Sequence, residues 1–128
     1  MRVAAIYDIH ANLPALEAVL EEIRQAEVDQ IVVGGDVLPG PMPNETIECL
    51  LNLDIPIQFI RGNGDRVVLT QMRGTESSDV PEKFREGVRW VARQLHPEHE
   101  DLLAGWPKTC RVEIHGVRRG AVLPRYAA

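Results

Sequence analysis

The run Arg2-Val3-Ala4-Ala5-Ile6-Tyr7-Asp8-Ile9-His10-Ala11-Asn12 decides how the rest of this chain is read. Val3 to Tyr7 has the character of a strand buried on both faces, and it stops at a carboxylate and an imidazole one residue apart. Two such groups at the mouth of a core are costly to desolvate without a partner. Spaced i and i+2 at a strand end, Asp8 and His10 are expected to face one crevice over a rigid support, a suitable place for a divalent cation.

Working outward, Leu13 to Arg24 places Leu16, Val19, Leu20 and Ile23 at i, i+3, i+4 and i+7, the pattern of an amphipathic helix capped by Asn12 with Pro14 in its first turn. A second apolar strand, Ile31 to Val33, ends at Gly34-Gly35-Asp36, and the proline-rich stretch Val37 to Pro43 can only be a loop. Asn44 is expected to cap a helix running to about Leu53, with Ile47, Leu50 and Leu51 as its buried face. The third strand, Ile57 to Ile60, runs into Arg61-Gly62-Asn63-Gly64-Asp65-Arg66. Alternating strands and helices predict an α/β fold with a βαβαβ parallel sheet and flanking helices, whose ligands bind beyond the carboxyl ends of the strands. All three strands end in potential metal ligands, Asp8 and His10, then Asp36, then Asn63, about one βαβ repeat apart, so these groups should share one edge of the sheet.

Beyond Arg66 the patterning predicts a short helix over Val67 to Arg73 and a polar loop over Gly74 to Ser78. Asp79 and Glu82 have capping-box spacing and open a helix with Phe84, Val88, Val91, Ala92 and Leu95 on its apolar face. A shorter helix over Glu98 to Ala104 follows the break at Pro97, then a strand over Arg111 to Ile114. From Gly116 onward no periodicity is evident.

With 128 residues, 45% of them hydrophobic, the chain is expected to form one domain over 1–128 with a real core. A net charge of -5 with scattered basic residues gives no nucleic-acid footprint, and no apolar run approaches membrane-spanning length or forms a signal-peptide core, so a cytoplasmic protein is expected. Cys49 and Cys110 lack CxxC spacing and read as small buried hydrophobes.

Asp-Ile-His, Gly-Gly-Asp and Gly-Asn-Gly-Asp together resemble the calcineurin-like metallophosphoesterases, in the small bacterial and archaeal branch whose opening reads like DIHANLPALEAVL. The resemblance covers Met1 to about Ile114 and implies the N-terminal part of a metallophosphoesterase-type α/β sandwich. It implies that Asp8 and His10 ligate a first metal, that Asp36 bridges two metals and that Asn63 ligates the second, one or two divalent ions (Mn, Fe, Zn or Ni) per chain. Asp36, Asn63 and Asp65 form the implied catalytic set, with Asn12 and Asp65 orienting His10 or the metals. The implied reaction is hydrolysis of a small phosphoester, as a phosphodiesterase or phosphatase, by a metal-activated hydroxide. Two cations roughly 3.5 to 4 Å apart clamp both oxygens of an in-line displacement.

Two departures shape that expectation. Where many members carry a histidine after the asparagine this chain has Gly64, and losing an acid catalyst costs about 10² to 10⁴ in rate, so slow turnover or a need for good leaving groups is expected. The later ligand histidines of the family would fall beyond the end of this sequence, and the segment from Val117 departs from the family, which reads as a shortened or frame-shifted product with self-association covering an exposed face. A catalytically weak or inactive binding and assembly module is therefore the alternative. A Rossmann nucleotide site is a distant third, since Asp8-Ile9-His10 stands where its glycine-rich loop would be.

Singly, each motif has a plainer reading. A lone Asp-x-His is more often a capping or salt-bridging pair, and a lone Gly-Gly-Asp only a turn. His115 belongs in a hairpin turn, His96 and His99 in solvent, Trp90 and Trp106 in packing, and Arg61 and Arg66 either on phosphate or in ion pairs with Asp65 or glutamates.

Overall fold

The computed structural model describes residues 1–114 and 117–122, with side chains through residue 112. Three parallel strands, β1 (Val3–Ile6), β2 (Gln30–Val33) and β3 (Ile57–Phe59), form a sheet in the order β1-β2-β3. Helices α1 (Leu13–Gln25) and α2 (Pro43–Leu51) make the two crossovers. Helices α3 (Asn63–Met72), α4 (Glu82–Gln94) and α5 (Glu98–Gly105) follow, then β4 (Cys110–Ile114) and β5 (Val117–Val122), an antiparallel pair. The βαβαβ prediction holds.

The central strand β2 explains the layering. Ile31 and Val33 point into the larger core with Leu16, Leu20, Ile47 and Leu50, while Val32 points to the other face and meets Ile60, Cys110 and Val112. Alternation along a strand thus fills helices on one side and β4 on the other. Trp106 completes the main core by stacking on Phe59 with ring centroids 4.8 Å apart, and Cys110 is buried as expected.

Several local expectations change. The strand buried on both faces is β2; β1 is at the edge of the three-stranded sheet and leaves Ala5 and Tyr7 exposed. On α1, Leu16, Leu20 and Ile23 are buried but Val19 lies outside the stripe, and on α2 Leu51 does the same. Asn12 caps α1 as read, its Oδ1 accepting from the Ala15 N–H at 3.2 Å.

Asn44 does not cap α2, which begins two residues earlier than expected, at Pro43 with Met42 at the cap. Its side chain instead reaches the α4–α5 corner, donating from Nδ2 to the Gln94 carbonyl and accepting at Oδ1 from the His96 N–H. Asp79 likewise makes no cap for α4; its carboxylate pairs with Arg66 at 3.2 Å. Phe84, expected on the buried face of α4, is exposed. His99, expected in solvent, is buried, and burial first and His96 second hold its imidazole below its usual pKa. Helix α3 starts at Asn63 rather than Val67, and the segment after Gly116, read as patternless, contains β5. His115, read as a hairpin residue, lies outside the described residues.

Candidate metal centre

Strand β1 ends at Ile6 and β2 at Val33, yet the two chains stay paired beyond those ends. Gly34 N donates to Ile6 O, Asp8 N to Gly35 O, His10 N to Asp36 O and Ala11 N to Val37 O, all between 2.7 and 3.2 Å. This zipped pair of loops brings Asp8, His10 and Asp36 together: one ligand atom from each lies within 4.8 Å of the others.

The convergence has a cause different from strand alternation. Asp8, His10 and Asp36 have φ of 54°, 46° and 57°, in the left-handed region that L residues other than Asn and Asp enter rarely. Backbone of that kind costs about 1–3 kcal/mol per residue and persists where surrounding contacts over-determine it. Here the loop-to-loop hydrogen bonds supply that constraint, and Gly35 at φ 104° takes the most demanding position.

The side chains of His10 and Asp36 are held from behind. His10 Nδ1 lies 3.0 Å from the Pro39 carbonyl, which can only accept, so Nδ1 carries the hydrogen and Nε2 keeps the lone pair. Asp36 Oδ1 accepts from the Gly64 N–H in the first turn of α3 at 2.8 Å. Burial raises the Asp36 pKa; the Gly64 N–H and His10 pull it down, while Asp8 pushes it up. A cation offsets the cost of placing two carboxylates so close.

Asp65 lies beneath the site, fully buried. Its Oδ2 accepts from Asp36 N at 2.9 Å and from Gly62 N at 2.8 Å, and its Oδ1 from Leu38 N at 3.0 Å. One carboxylate thus ties the β2 loop to the start of α3. Burial pushes its carboxyl up to about 7, against the pull of those three N–H groups. Asp65 does not line the cavity and meets the backbone of both loops.

Asn63 is exposed at the first residue of α3 and lines the same cavity, of about 760 Å³, as His10 and Asp36. Its Oδ1 accepts from Arg66 Nη2 at 2.7 Å, and Arg66 also holds Asp79. Arg66 therefore pairs with Asp79 rather than Asp65, while Arg61 reaches the Ala104 carbonyl at 3.4 Å. Asn12 keeps its oxygen on the α1 cap.

Two glycines explain why the pieces fit. A Cβ on Gly62 would run into the Asp36 backbone and carboxylate, and one on Gly64 would run into the Leu38 carbonyl. The position where the resemblance leads one to look for a histidine thus has no room for a side chain. Opposite the ligands the cavity is apolar, formed by Val80, Phe84, Val88 and Trp90, with Lys83 among them. The sequence offered no sign of this wall, because Phe84 looked like a core residue.

A parallel sheet whose carboxyl edge gathers two carboxylates and an imidazole on strained loops defines an α/β protein built for a divalent cation. The chain belongs to the calcineurin-like phosphoesterase superfamily, whose domain model matches residues 1–120. That match runs past Ile114 into β5, further than the sequence motifs reached. An uncharacterized protein of Methanocaldococcus jannaschii is 33% identical over 116 residues, 89% of this chain and 45% of that protein. A metallophosphoesterase of Sphaerobacter thermophilus has a similar structure, with a TM-score of 0.67, 33% identity and coverage of 88% of this chain and 44% of its own. The fold is also that of a hypothetical protein of Pyrococcus horikoshii, with a TM-score of 0.79 at 22% identity over 91% of this chain and 52% of that one. The chain spans about half the length of these relatives.

Proposed function

We propose that this protein hydrolyses small phosphoesters with divalent cations held by Asp8, His10 and Asp36, and that Asn63 contributes its amide oxygen to a second cation at Asp36. The observation that carries the reading is the convergence of Asp8, His10 and Asp36 ligand atoms within 4.8 Å, with His10 and Asp36 lining a large cavity. Mixed oxygen and nitrogen donors suit Mn, Fe, Zn or Ni and disfavour Ca. Bound there, the cations supply an activated water and neutralise charge on the phosphoryl group.

The chain's own residues do the rest. Pro39 fixes the His10 ring, Gly64 N–H and Asp65 hold the Asp36 loop, and the start of α3 adds a partial positive field at the phosphoryl side. Phe84 and Trp90 offer an apolar surface to the organic group of the ester. With Gly64 in place of an acid, this arrangement suits esters whose leaving group departs unaided, such as aryl phosphodiesters.

One observation favours the alternative, a catalytically weak or inactive binding module. On the second cation's side the described residues offer Asp36 and Asn63, and the Asn63 oxygen is engaged by Arg66. Elemental analysis and phosphodiester assays of the wild type and Asp36→Asn separate the two. Aryl ester turnover that requires transition metal, and that is lost in Asp36→Asn together with part of the bound metal, supports the enzyme. Metal binding without turnover supports the module, and equal rates on aryl and alkyl esters overturn the leaving-group argument.

A further inference from the structure

A second group of metal-type donors lies away from the cavity. Glu48 on α2, His96 at the α4–α5 corner and His99 in the first turn of α5 each offer one ligand atom within 4.8 Å of the others. We propose that they form a separate site for a transition-metal dication of the zinc or nickel class, which clips α2 to the α4–α5 corner.

The donors are prepared for it. Asn44 presents its oxygen to the His96 N–H at 2.9 Å and its nitrogen to the Gln94 carbonyl at 2.7 Å, so the orientation of that amide is determined by one backbone donor and one backbone acceptor. The same oxygen lies 3.1 Å from His99 Nδ1, which must therefore carry the hydrogen, leaving the lone pair on Nε2. A buried imidazole oriented by an amide oxygen is the outer support that metal-bound histidines commonly have.

The direct contacts among the three do not explain the arrangement without a cation. His96 Nδ1 is 3.6 Å from Glu48 and 3.7 Å from Glu98, both exposed, and such pairs contribute little. The two imidazole rings stack with centroids 5.4 Å apart, close enough for both to meet one ion with Glu48. A dication uses both rings in their neutral form together with the Glu48 carboxylate, and water completes the coordination. Two imidazoles and one carboxylate suit zinc or nickel rather than calcium or magnesium. This site is independent of the Asp8–His10–Asp36 centre.

The test is zinc titration of chelator-stripped protein, followed by calorimetry and by the imidazole resonances in NMR spectra. Wild type should bind one equivalent that His96→Ala and Glu48→Gln, both at exposed positions, each weaken about tenfold or more. That equivalent should persist in Asp36→Asn, and zinc should shift the His96 and His99 resonances in that variant. Unchanged zinc affinity and stoichiometry in His96→Ala, or unmoved His96 and His99 resonances in Asp36→Asn, would overturn the proposal.

Discussion

At the scale of single residues, the centre depends on what stands behind the ligands as much as on the ligands. Asp65 satisfies three backbone N–H groups from two segments, and no rotamer of an asparagine can, because one of its two polar atoms is a donor. Asp65→Asn should therefore destabilise the fold by about 1–3 kcal/mol for each donor left unmatched, seen as a lower denaturant midpoint, and should weaken metal binding about 10- to 100-fold. Gly64→His, which would bring back the residue many family members carry, should lose stability and metal affinity rather than gain rate, since its Cβ meets the Leu38 carbonyl. A faster, equally stable Gly64→His enzyme would show that the loop yields easily.

His99 gives a pH dependence of defined sign. Burial lowers its folded pKa below the ordinary 6.5, so protonation favours the unfolded chain. Its contribution to stability is complete above that ordinary value and is lost as pH falls through it toward the folded value. Asp65 acts in the opposite sense, since its raised pKa costs stability as pH rises from 3.8 through about 7. The informative quantity is thus the difference between proteins: in chelator, His99→Gln should flatten the acid side of the stability profile below about pH 6.5 relative to wild type.

At the scale of elements, α1 shows how packing selects among residues that periodicity treats alike. Leu16, Val19, Leu20 and Ile23 all fit the helical stripe, but the core reaches Leu16, Leu20 and Ile23 only. Leu20→Ala should cost about 2–5 kcal/mol and Val19→Ala within about 0.5 kcal/mol by thermal or chemical unfolding. Similar losses at the two sites would place Val19 in an interface instead. The helix starts follow the same lesson. Asn44 and Asp79 carry capping chemistry, yet both spend it on partners distant in sequence, the α4–α5 corner and Arg66.

At the scale of the whole molecule, β1 closes one side of the three-stranded sheet with Ala5 and Tyr7 exposed. An edge of that kind is a place for another strand to pair, and we propose that copies of the chain associate through it. Sedimentation should show concentration-dependent association that Ala5→Lys reduces, and a wild type monomeric at all concentrations would sink this. Among the described residues no helix is long and apolar enough to cross a membrane.

What the sequence determined by itself was the alternation of strand and helix and the edge on which Asp8, His10, Asp36 and Asn63 fall. Period-2 and period-3.6 patterns are local, and parallel strands joined by right-handed crossovers place every strand end on one side. The tertiary structure decided the rest: the left-handed turns that aim the ligands, the buried Asp65 that ties two loops, the closed space at Gly64 and the meeting of Glu48 with His96 and His99. Those features depend on which distant backbone groups become neighbours, and no pattern of nearby residues encodes that, because a hydrogen bond or a steric limit exists only once both partners are in place.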